Sequence, residues 1–416
     1  MRDDLCVATF ALNQLLSNTF CYSKYFYRYN FSTNLFDYSK NGRDLLTLYN
    51  IFNCLVSGVL GPLSFFYIII VKGVFDPKTI RIDELFYTLV LSTLYLLIYG
   101  LNYTNYKYRD GTSEYVNDLL ILRRYYSGNQ RGNQQESVTF SQVFHIFKEE
   151  ITRLVKRQDA DLLGIIIVFI IIGLFIAPVL IFPISLISQF DYISIALRYL
   201  IPVNYHDNFT LAVIHRLTGS LLCQITVIEM CRSFRILIPN IICIGSLASN
   251  RLTGIRRKAL ENPLEGIIEY WILQREGKKV EKGCGAIVYV LYQAGSFLIV
   301  CNYTTTLIGW KFLDMGAYLV APSLCPVITA TLLIGVRLAV STVNVSEEIL
   351  RMWRSSEMVM VKNKNRRWSK RIVKTLRPFG FPVQGLGLFN AELKLTLMER
   401  ILFSTQDAVV TGIAIL

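Results

Sequence analysis

The chain has 416 residues, of which 53% are hydrophobic and only 18% are charged, and its mean hydropathy is +0.40. A soluble domain carries about 25% charged residues. This composition therefore excludes soluble enzymes, nucleic-acid readers and disordered scaffolds, and it indicates an integral membrane protein. The formal net charge of +13 is then first a signal of membrane topology, and no nucleic-acid partner is expected.

Residues 1–46 are polar and aromatic, and they contain no short apolar core followed by a small-residue cleavage site. We therefore expect no secretory signal peptide and predict a cytosolic N-terminal segment over 1–46. The nine cysteines are scattered without a CxxC pair, and the chain has only three histidines. This pattern predicts buried cysteines rather than a disulfide framework, and neither a metal site nor a cofactor is expected.

Seven apolar segments are candidates for membrane spans, at about 20 residues per crossing. They are 47–71, 84–102, 162–187, 209–247, 284–302, 317–343 and 395–416. The third is the clearest, whereas the fourth and seventh carry charges and are the weakest. As one helix the fourth would be about 58 Å long, so we expect it to continue into the cytosol. The predicted fold class is an all-α polytopic membrane protein with seven transmembrane helices and helical cytosolic extensions.

The basic residues predict the orientation of these spans. The N-terminal segment and the three loops that share its side hold 33 Lys and Arg, whereas the other three loops hold 5. Basic residues in short loops stay on the cytoplasmic side, which predicts a cytosolic N-terminus and an extracellular C-terminus. A G-protein-coupled receptor has the opposite orientation, and its Asp-Arg-Tyr and Asn-Pro-x-x-Tyr motifs are missing from the third and seventh spans.

Two cytosolic loops contain apolar residues at helical spacing. The first set predicts a stalk helix that leads into the third span: Phe144, Phe147, Ile151 and Leu154. The second set predicts another amphipathic helix: Leu264, Ile267, Ile268, Trp271 and Ile272. Such helices either pack on one another below the membrane as an anchor or lie on the membrane surface.

The predicted seventh span carries a polar stripe with an acid in its middle. Five residues spaced by three or four share one helical face: Arg400, Ser404, Asp407, Thr411 and Ile415. A charge in hydrocarbon costs several kcal/mol unless it meets water or a partner. A water-filled pore would hydrate Asp407 and concentrate cations, and a basic residue on a neighbouring helix would instead form a buried ion pair. The residues alone leave both alternatives open.

Aromatic and polar residues in the outer halves of the first six spans are candidates for a ligand pocket. They are Tyr87, His215, Arg216, Tyr292, Gln293, Asn302, Tyr303 and Tyr318. An apolar cleft with a few hydrogen-bonding groups is typical of small-molecule sites. Aromatic residues at this depth also serve as anchors at the membrane interface, which is the alternative for each of them.

The last thirty residues resemble a known family. The segment 387–392 matches the Gly-x-Phe-x-hydrophobic-acid element of insect gustatory receptors, and Thr411 with 413–416 matches the Thr and the hydrophobic positions of their final motif. Gly412 stands where that motif has Tyr, and the sequence ends at Leu416 before its Gln-Phe pair. With the chain length, the seven predicted spans and their orientation, the sequence resembles the insect gustatory and odorant receptor superfamily, the gustatory branch in particular.

The resemblance implies a chemosensory receptor that is a ligand-gated, non-selective cation channel in the plasma membrane, and not an enzyme. It implies a small-molecule tastant or odorant as ligand, and a homo- or heterotetramer of related subunits in the lipid bilayer. The implied pore residues are Ser404, Asp407, Thr411 and Ile415. The alternatives are a G-protein-coupled receptor, a secondary transporter, and a non-conducting subunit that needs a partner.

The expected organisation has four parts. They are a cytosolic N-terminal segment (1–46), a six-helix transmembrane ligand-binding region with cytosolic helical loops (47–343), a cytosolic anchor segment (344–394) and a pore-lining seventh helix (395–416).

Overall fold

The computed structural model describes residues 3–18, 27–30, 35–38, 114–119, 140–156, 161–188, 209–311, 320–355 and 366–415, with single positions between 59 and 108 and positions 313 and 318. The elements before the first long gap are α1 (Asp3–Asn18), β1 (Tyr27–Asn30) and β2 (Leu35–Tyr38). The central helices are α2 (Phe140–Val155), α3 (Leu162–Ser188), α4 (Phe209–Glu261), α5 (Pro263–Val290), a π-helical turn (Leu291–Gly295), α6 (Ser296–Ile308) and α7 (Val320–Ser355). The chain continues with α8 (Arg366–Thr375), β3 (Pro382–Val383), β4 (Gly387–Leu388) and α9 (Ala391–Ile415).

Helices dominate the described residues, and the strands form two small antiparallel pairs, β1 with β2 and β3 with β4. Three stretches in this part of the chain are long and apolar enough to cross a membrane: Leu162–Val179, Glu281–Lys311 and Ile328–Ser355. They fall on the predicted third, fifth and sixth spans. The all-α membrane fold class is thus confirmed, whereas the count of seven spans and the orientation stay predictions. The predicted spans 47–71 and 84–102 lie mostly outside the described residues.

The fourth predicted span is the first part of a much longer helix. With 53 residues, α4 is about 80 Å long at 1.5 Å per residue. The hydrocarbon core of a bilayer is only about 30 Å thick, so α4 extends well beyond a single crossing, as its length in the sequence predicted. α3 packs along α4, and α5 and α7 pack against α4 as well.

The main hydrophobic core joins α1, residues 114–119, α3, α4, α5, α7 and α8. Its most completely buried aliphatic side chains come from four of these helices: Ile167, Ile171, Leu252, Ile255, Ile267 and Ile349. Burying an aliphatic side chain of this size stabilises a fold by about 1.5–3 kcal/mol. Because the core includes the ends of α4, α5 and α7, these helices are fixed to one another beyond the apolar spans.

The N-terminal segment contains a helix that packs into the core. Most side chains described between residues 5 and 13 are buried, and α1 packs against α2, α3 and α4. Gly164 leaves room for this approach, because a Cβ there would lie 2.6 Å from Cδ1 of Leu5. Asn13 donates from Nδ2 to the main-chain oxygen of Arg235 at 3.1 Å. The buried residues of α1 include Leu5, Phe10 and Leu12, so an apolar face within this segment fixes the helix to the core, while its cytosolic side stays a prediction.

The predicted stalk helix is confirmed as α2, but its buried face is not the one predicted. Phe147 packs edge-on against Phe169 of α3, with 5.7 Å between ring centroids, whereas Phe144 and Leu154 are exposed. Glu150 is buried instead, and it accepts hydrogen bonds from Arg153 at 2.6 Å and from the N–H of Asp161 at 3.0 Å. The buried carboxylate is therefore satisfied by the junction between α2 and α3.

The buried face of α5 also differs from the predicted stripe. Ile267 is buried as expected, but Ile268 and Trp271 are 40% and 46% exposed, and Tyr270 is buried in their place. Tyr270 donates to the carbonyl of Arg377 at 2.7 Å and shares a hydrogen bond of 2.6 Å with the Ser346 hydroxyl. Burial raises the pKa of Tyr270 to about 12, so the phenol stays protonated and ties α5 to α7 and to the end of α8.

We expect Tyr270→Phe to lower the free energy of unfolding by about 1–3 kcal/mol, because the buried partners of the phenol lose a hydrogen bond. Thermal unfolding of the purified, detergent-solubilised protein measures this effect. The matched control is Tyr289→Phe on the same helix, since Tyr289 is exposed and makes no hydrogen bond within the described residues. Equal melting temperatures for the two variants would contradict the assigned role of Tyr270.

Candidate pore helix and ligand pocket

The last helix is entered through the short hairpin β3–β4. Gly385 and Gly387 have φ of 80° and 90°, values that residues with a Cβ rarely adopt. The N–H of the buried Phe389 donates to the carbonyl of Phe381 at 2.8 Å. Asn390 then caps the helix, because its Oδ1 accepts from the N–H of Leu393 at 2.9 Å. The Gly-x-Phe-x element of the sequence therefore builds the turn and the cap that start α9.

α9 packs mainly against α6 and only slightly against α7. Its buried residues are Leu397, Ile401 and Thr405, which recur every four positions, and the Thr405 hydroxyl donates to the carbonyl of Ile401 at 2.7 Å. The opposite side carries Leu402 and Phe403, which are 64% and 59% exposed. One chain thus covers a single narrow face of α9 and leaves the rest open.

The predicted polar stripe runs along the border between the packed and the open faces of α9. Ser404 is half-buried, whereas Asp407 and Thr411 are exposed. Within the part of the chain that the structure describes, Asp407 makes no ion pair. The side chain of Ile415 lies outside that part. In a single chain the stripe is therefore available to water or to other subunits.

Arg400, at the N-terminal end of the stripe, is held by the π-helical turn. Its Nη1 donates to Oε1 of Gln293 at 2.7 Å, and its guanidinium lies 5.9 Å from the ring centroid of Tyr292. Tyr292 and Gln293 are thus in contact with the predicted pore helix. The sequence held one signal for this contact. Gln293 and Arg400 each lie in a predicted span, and a polar group at membrane depth needs a partner. Periodicity along one segment does not show such pairs.

A second group of predicted pocket residues meets between α6 and α7. Asn302 donates from Nδ2 to the carbonyl of Ala321 at 3.3 Å, the Tyr303 hydroxyl lies 2.8 Å from the hydroxyl of Thr329, and Tyr318 donates to the carbonyl of Thr306 at 3.2 Å. Oδ1 of Asn302 is shielded from solvent and has no hydrogen-bond partner among the described atoms. A shielded acceptor beside two tyrosines can accept a hydrogen bond from the hydroxyl or amine group of a bound molecule.

The structure does not bring all the predicted pocket residues together. Gln293 and Asn302 are nine residues apart, or about 14 Å along the helix, so the pocket candidates of this region form two groups. His215 and Arg216 lie near the start of α4, where Arg216 is exposed and the side chain of His215 falls outside the described part. Tyr87 also falls outside it.

No protein-family model matches the sequence, and no curated protein matches it either. The chain is similar to the solved structure of the insect olfactory receptor OR5 from Machilis hrabei in complex with eugenol, with a TM-score of 0.50 and 9% identity, covering 98% of both chains. Another structure of OR5 from Machilis hrabei matches with a TM-score of 0.44 and 11% identity, covering 88% of this chain and 90% of the other. The first likeness shows that the chain has the fold of this insect olfactory receptor, which is the fold that the resemblance implied. The gustatory branch stays a prediction.

Proposed function

We propose that this chain, which shares the fold of an insect olfactory receptor, is a chemosensory receptor that acts as a ligand-gated, non-selective cation channel in the plasma membrane. The observation that carries the proposal is the environment of α9. Its acid-bearing stripe and the apolar residues beside it are exposed in one chain, although the helix is a predicted span. Such a surface needs water on its polar side and protein or lipid on its apolar side.

Four copies around a central axis would supply water for the polar side of α9 and protein for its apolar side. We propose a homo- or heterotetramer on this ground. Ser404, Asp407, Thr411 and Ile415 then line the pore, and a ring of four Asp407 carboxylates attracts cations, as acidic rings do in cation channels. The exposure of Asp407 and the absence of an ion pair to it among the described residues support a water-facing position over a buried ion pair within one chain.

The proposed ligand is a small-molecule tastant or odorant, held between α6 and α7 by Asn302, Tyr303 and Tyr318. The shielded Oδ1 of Asn302 supplies an acceptor, and the two tyrosine rings supply apolar walls. The structurally similar OR5 receptor was solved in complex with a small molecule, eugenol, which supports this class of ligand. The taste modality of the gustatory branch is part of the proposal.

The route from the pocket to the pore passes through α6 and the π-helical turn. Asn302 and Tyr303 lie on α6, and the turn that precedes α6 contacts Arg400 at the N-terminal end of the polar stripe. A ligand opens a channel only as far as it binds the open state more tightly than the closed state. We propose that a shift of α6 on ligand binding changes the position of α9 through this contact.

Whole-cell recording tests the proposal. Cells that express the chain, alone or with a related receptor subunit, are exposed to sugars, bitter compounds and volatiles while a G-protein inhibitor is present. We expect a ligand-evoked cation current that resists the inhibitor. Loss of the response with the inhibitor would favour a G-protein-coupled receptor, and flux coupled to an ion gradient without single-channel events would favour a transporter. Current only with the related subunit would identify a non-conducting subunit.

A further inference from the structure

The segment between α7 and α9 is strongly basic and has no acidic residue to balance it. Between Glu357 and Glu392 the sequence contains no Asp or Glu and eight basic residues: Lys362, Lys364, Arg366, Arg367, Lys370, Arg371, Lys374 and Arg377. Five of them lie on α8. By helical spacing these five fall within an arc of about 140° on one side of the helix.

The other side of α8 is fixed in the core. Val373 and Leu376 are buried, Arg354 of α7 donates to the carbonyl of Leu376 at 3.0 Å, and Tyr270 of α5 donates to the carbonyl of Arg377. The basic face of α8, defined as its five Lys and Arg residues together with Arg377, is therefore presented by a docked helix. Its orientation does not depend on a bound partner.

The described cations of this face have no acidic partners. Arg371, Lys374 and Arg377 are exposed and make no ion pair within the described ranges. Some basic residues elsewhere in the described chain are paired, such as Arg256 with Glu348 at 2.5 Å and Lys258 with Glu269 at 2.6 Å. The three described cations of the basic face are not compensated in this way, and an uncompensated basic patch attracts polyanions.

The basic face lies near a membrane boundary. Tyr270, which contacts the chain just after α8, precedes the start of the apolar stretch Glu281–Lys311 by eleven residues, or about 16 Å along α5. Seven residues after Arg377 the chain is again close to that boundary, because the N–H of Gln384 donates to the carbonyl of Gly285 at 3.3 Å. Lipid headgroups add about 5–7 Å to the hydrocarbon edge, and the Debye length in 0.1 M salt is about 10 Å. The basic face is thus within electrostatic reach of the headgroups.

We propose that the basic face of α8 binds anionic phospholipids of the cytosolic leaflet through the multiply charged headgroup of a phosphoinositide. Clusters of four to eight Lys and Arg next to a span recognise such lipids. A protein of the calmodulin type binds the apolar side of an amphipathic helix, and here that side is already buried in the core. The proposal requires the predicted cytosolic side for α8, and it does not depend on whether the chain conducts.

The test uses the full-length protein in phosphatidylcholine nanodiscs, titrated with a short-chain phosphatidylinositol 4,5-bisphosphate. The variant Arg371→Gln/Lys374→Gln replaces two exposed side chains, so the fold is retained. We expect it to raise the Kd by about 30-fold, from the contribution of two basic residues near a membrane surface. Each single substitution should raise the Kd by about fivefold, and the affinity of the wild-type protein should fall as salt is added.

The matched control is Arg256→Gln/Arg257→Gln, which removes the same charge from two exposed residues of α4. It should change the Kd by less than about twofold, because neither residue belongs to the basic face and Arg256 is already paired with Glu348. An unchanged Kd in the α8 variant, or an equal loss in the control, would overturn the proposal. Binding of soluble inositol trisphosphate as tight as that of the lipid would assign the face to a free phosphate ligand, and calcium-dependent calmodulin binding that needs Arg371 and Lys374 would assign it to a protein.

Discussion

Asp407→Asn is expected to lower the single-channel cation conductance by roughly tenfold at 10 mM salt, because a ring of carboxylates raises the local cation concentration by about this factor or more. The loss should shrink at 150 mM salt, where the Debye length falls from about 30 Å to about 8 Å. Permeability to Ca²⁺ relative to Na⁺ should fall as well, since attraction to the ring scales with ionic charge. Single-channel recording and reversal potentials in mixed solutions measure both effects.

The control for Asp407→Asn is Gln406→Ala on the same turn of α9. Gln406 is also exposed, but it lies about 100° away from Asp407 around the helix and off the polar stripe. We expect wild-type conductance from this variant. If Asp407→Asn reaches wild-type surface expression and its conductance and Ca²⁺ selectivity are unchanged, Asp407 does not line the pore. That result would favour a buried ion pair with another subunit.

The helices of this protein were largely predictable because hydropathy and periodicity are local properties of the chain. The third span is an uninterrupted apolar run, and α3 begins and ends within one residue of the prediction. The long fourth segment and the stalk helix were predicted in the same way. The last span was predicted to begin at residue 395, whereas α9 begins at Ala391, because a glycine turn and the Asn390 cap start the helix four residues earlier.

The buried faces were less predictable, because burial depends on partners that are distant in sequence. Tyr270 was left out of the predicted hydrophobic stripe, yet it is buried. Its hydroxyl is satisfied by hydrogen bonds with Ser346 and with the carbonyl of Arg377. Glu150 is buried for the same reason, through Arg153 and the N–H of Asp161. Satisfied polar groups can occupy core positions, and a binary pattern of polar and apolar residues does not identify them.

The candidate site shows the same limit. The polar stripe on α9 followed from spacing alone, and the structure places Asp407 and Thr411 on the exposed side that a pore requires. The contact between Arg400 and Gln293 joins residues 107 positions apart, and no single-segment pattern predicts it. Under the proposed function, this contact would connect the candidate pocket on α6 with the candidate pore helix.

The second large expected effect comes from breaking the contact between Arg400 and Gln293. We expect Arg400→Met and Gln293→Leu to shift the half-maximal ligand concentration in the same direction and by similar factors, because each removes the same charge-assisted hydrogen bond. The double variant should shift it no further than either single variant. Residues in direct contact show coupling energies of about 0.5–3 kcal/mol, and about 1.4 kcal/mol corresponds to a tenfold shift.

Dose-response recordings of the wild type, both single variants and the double variant complete the double-mutant cycle. Glu399→Gln is the control, since Glu399 is exposed next to Arg400 and makes no ion pair within the described chain. Arg400→Lys should restore only part of the wild-type response, because an ammonium group lacks the planar fork that both bonds Gln293 and stacks on Tyr292. Additive shifts in the cycle would show that α9 is coupled to the pocket by another route, and the π-helical turn would then serve only to hold Arg400.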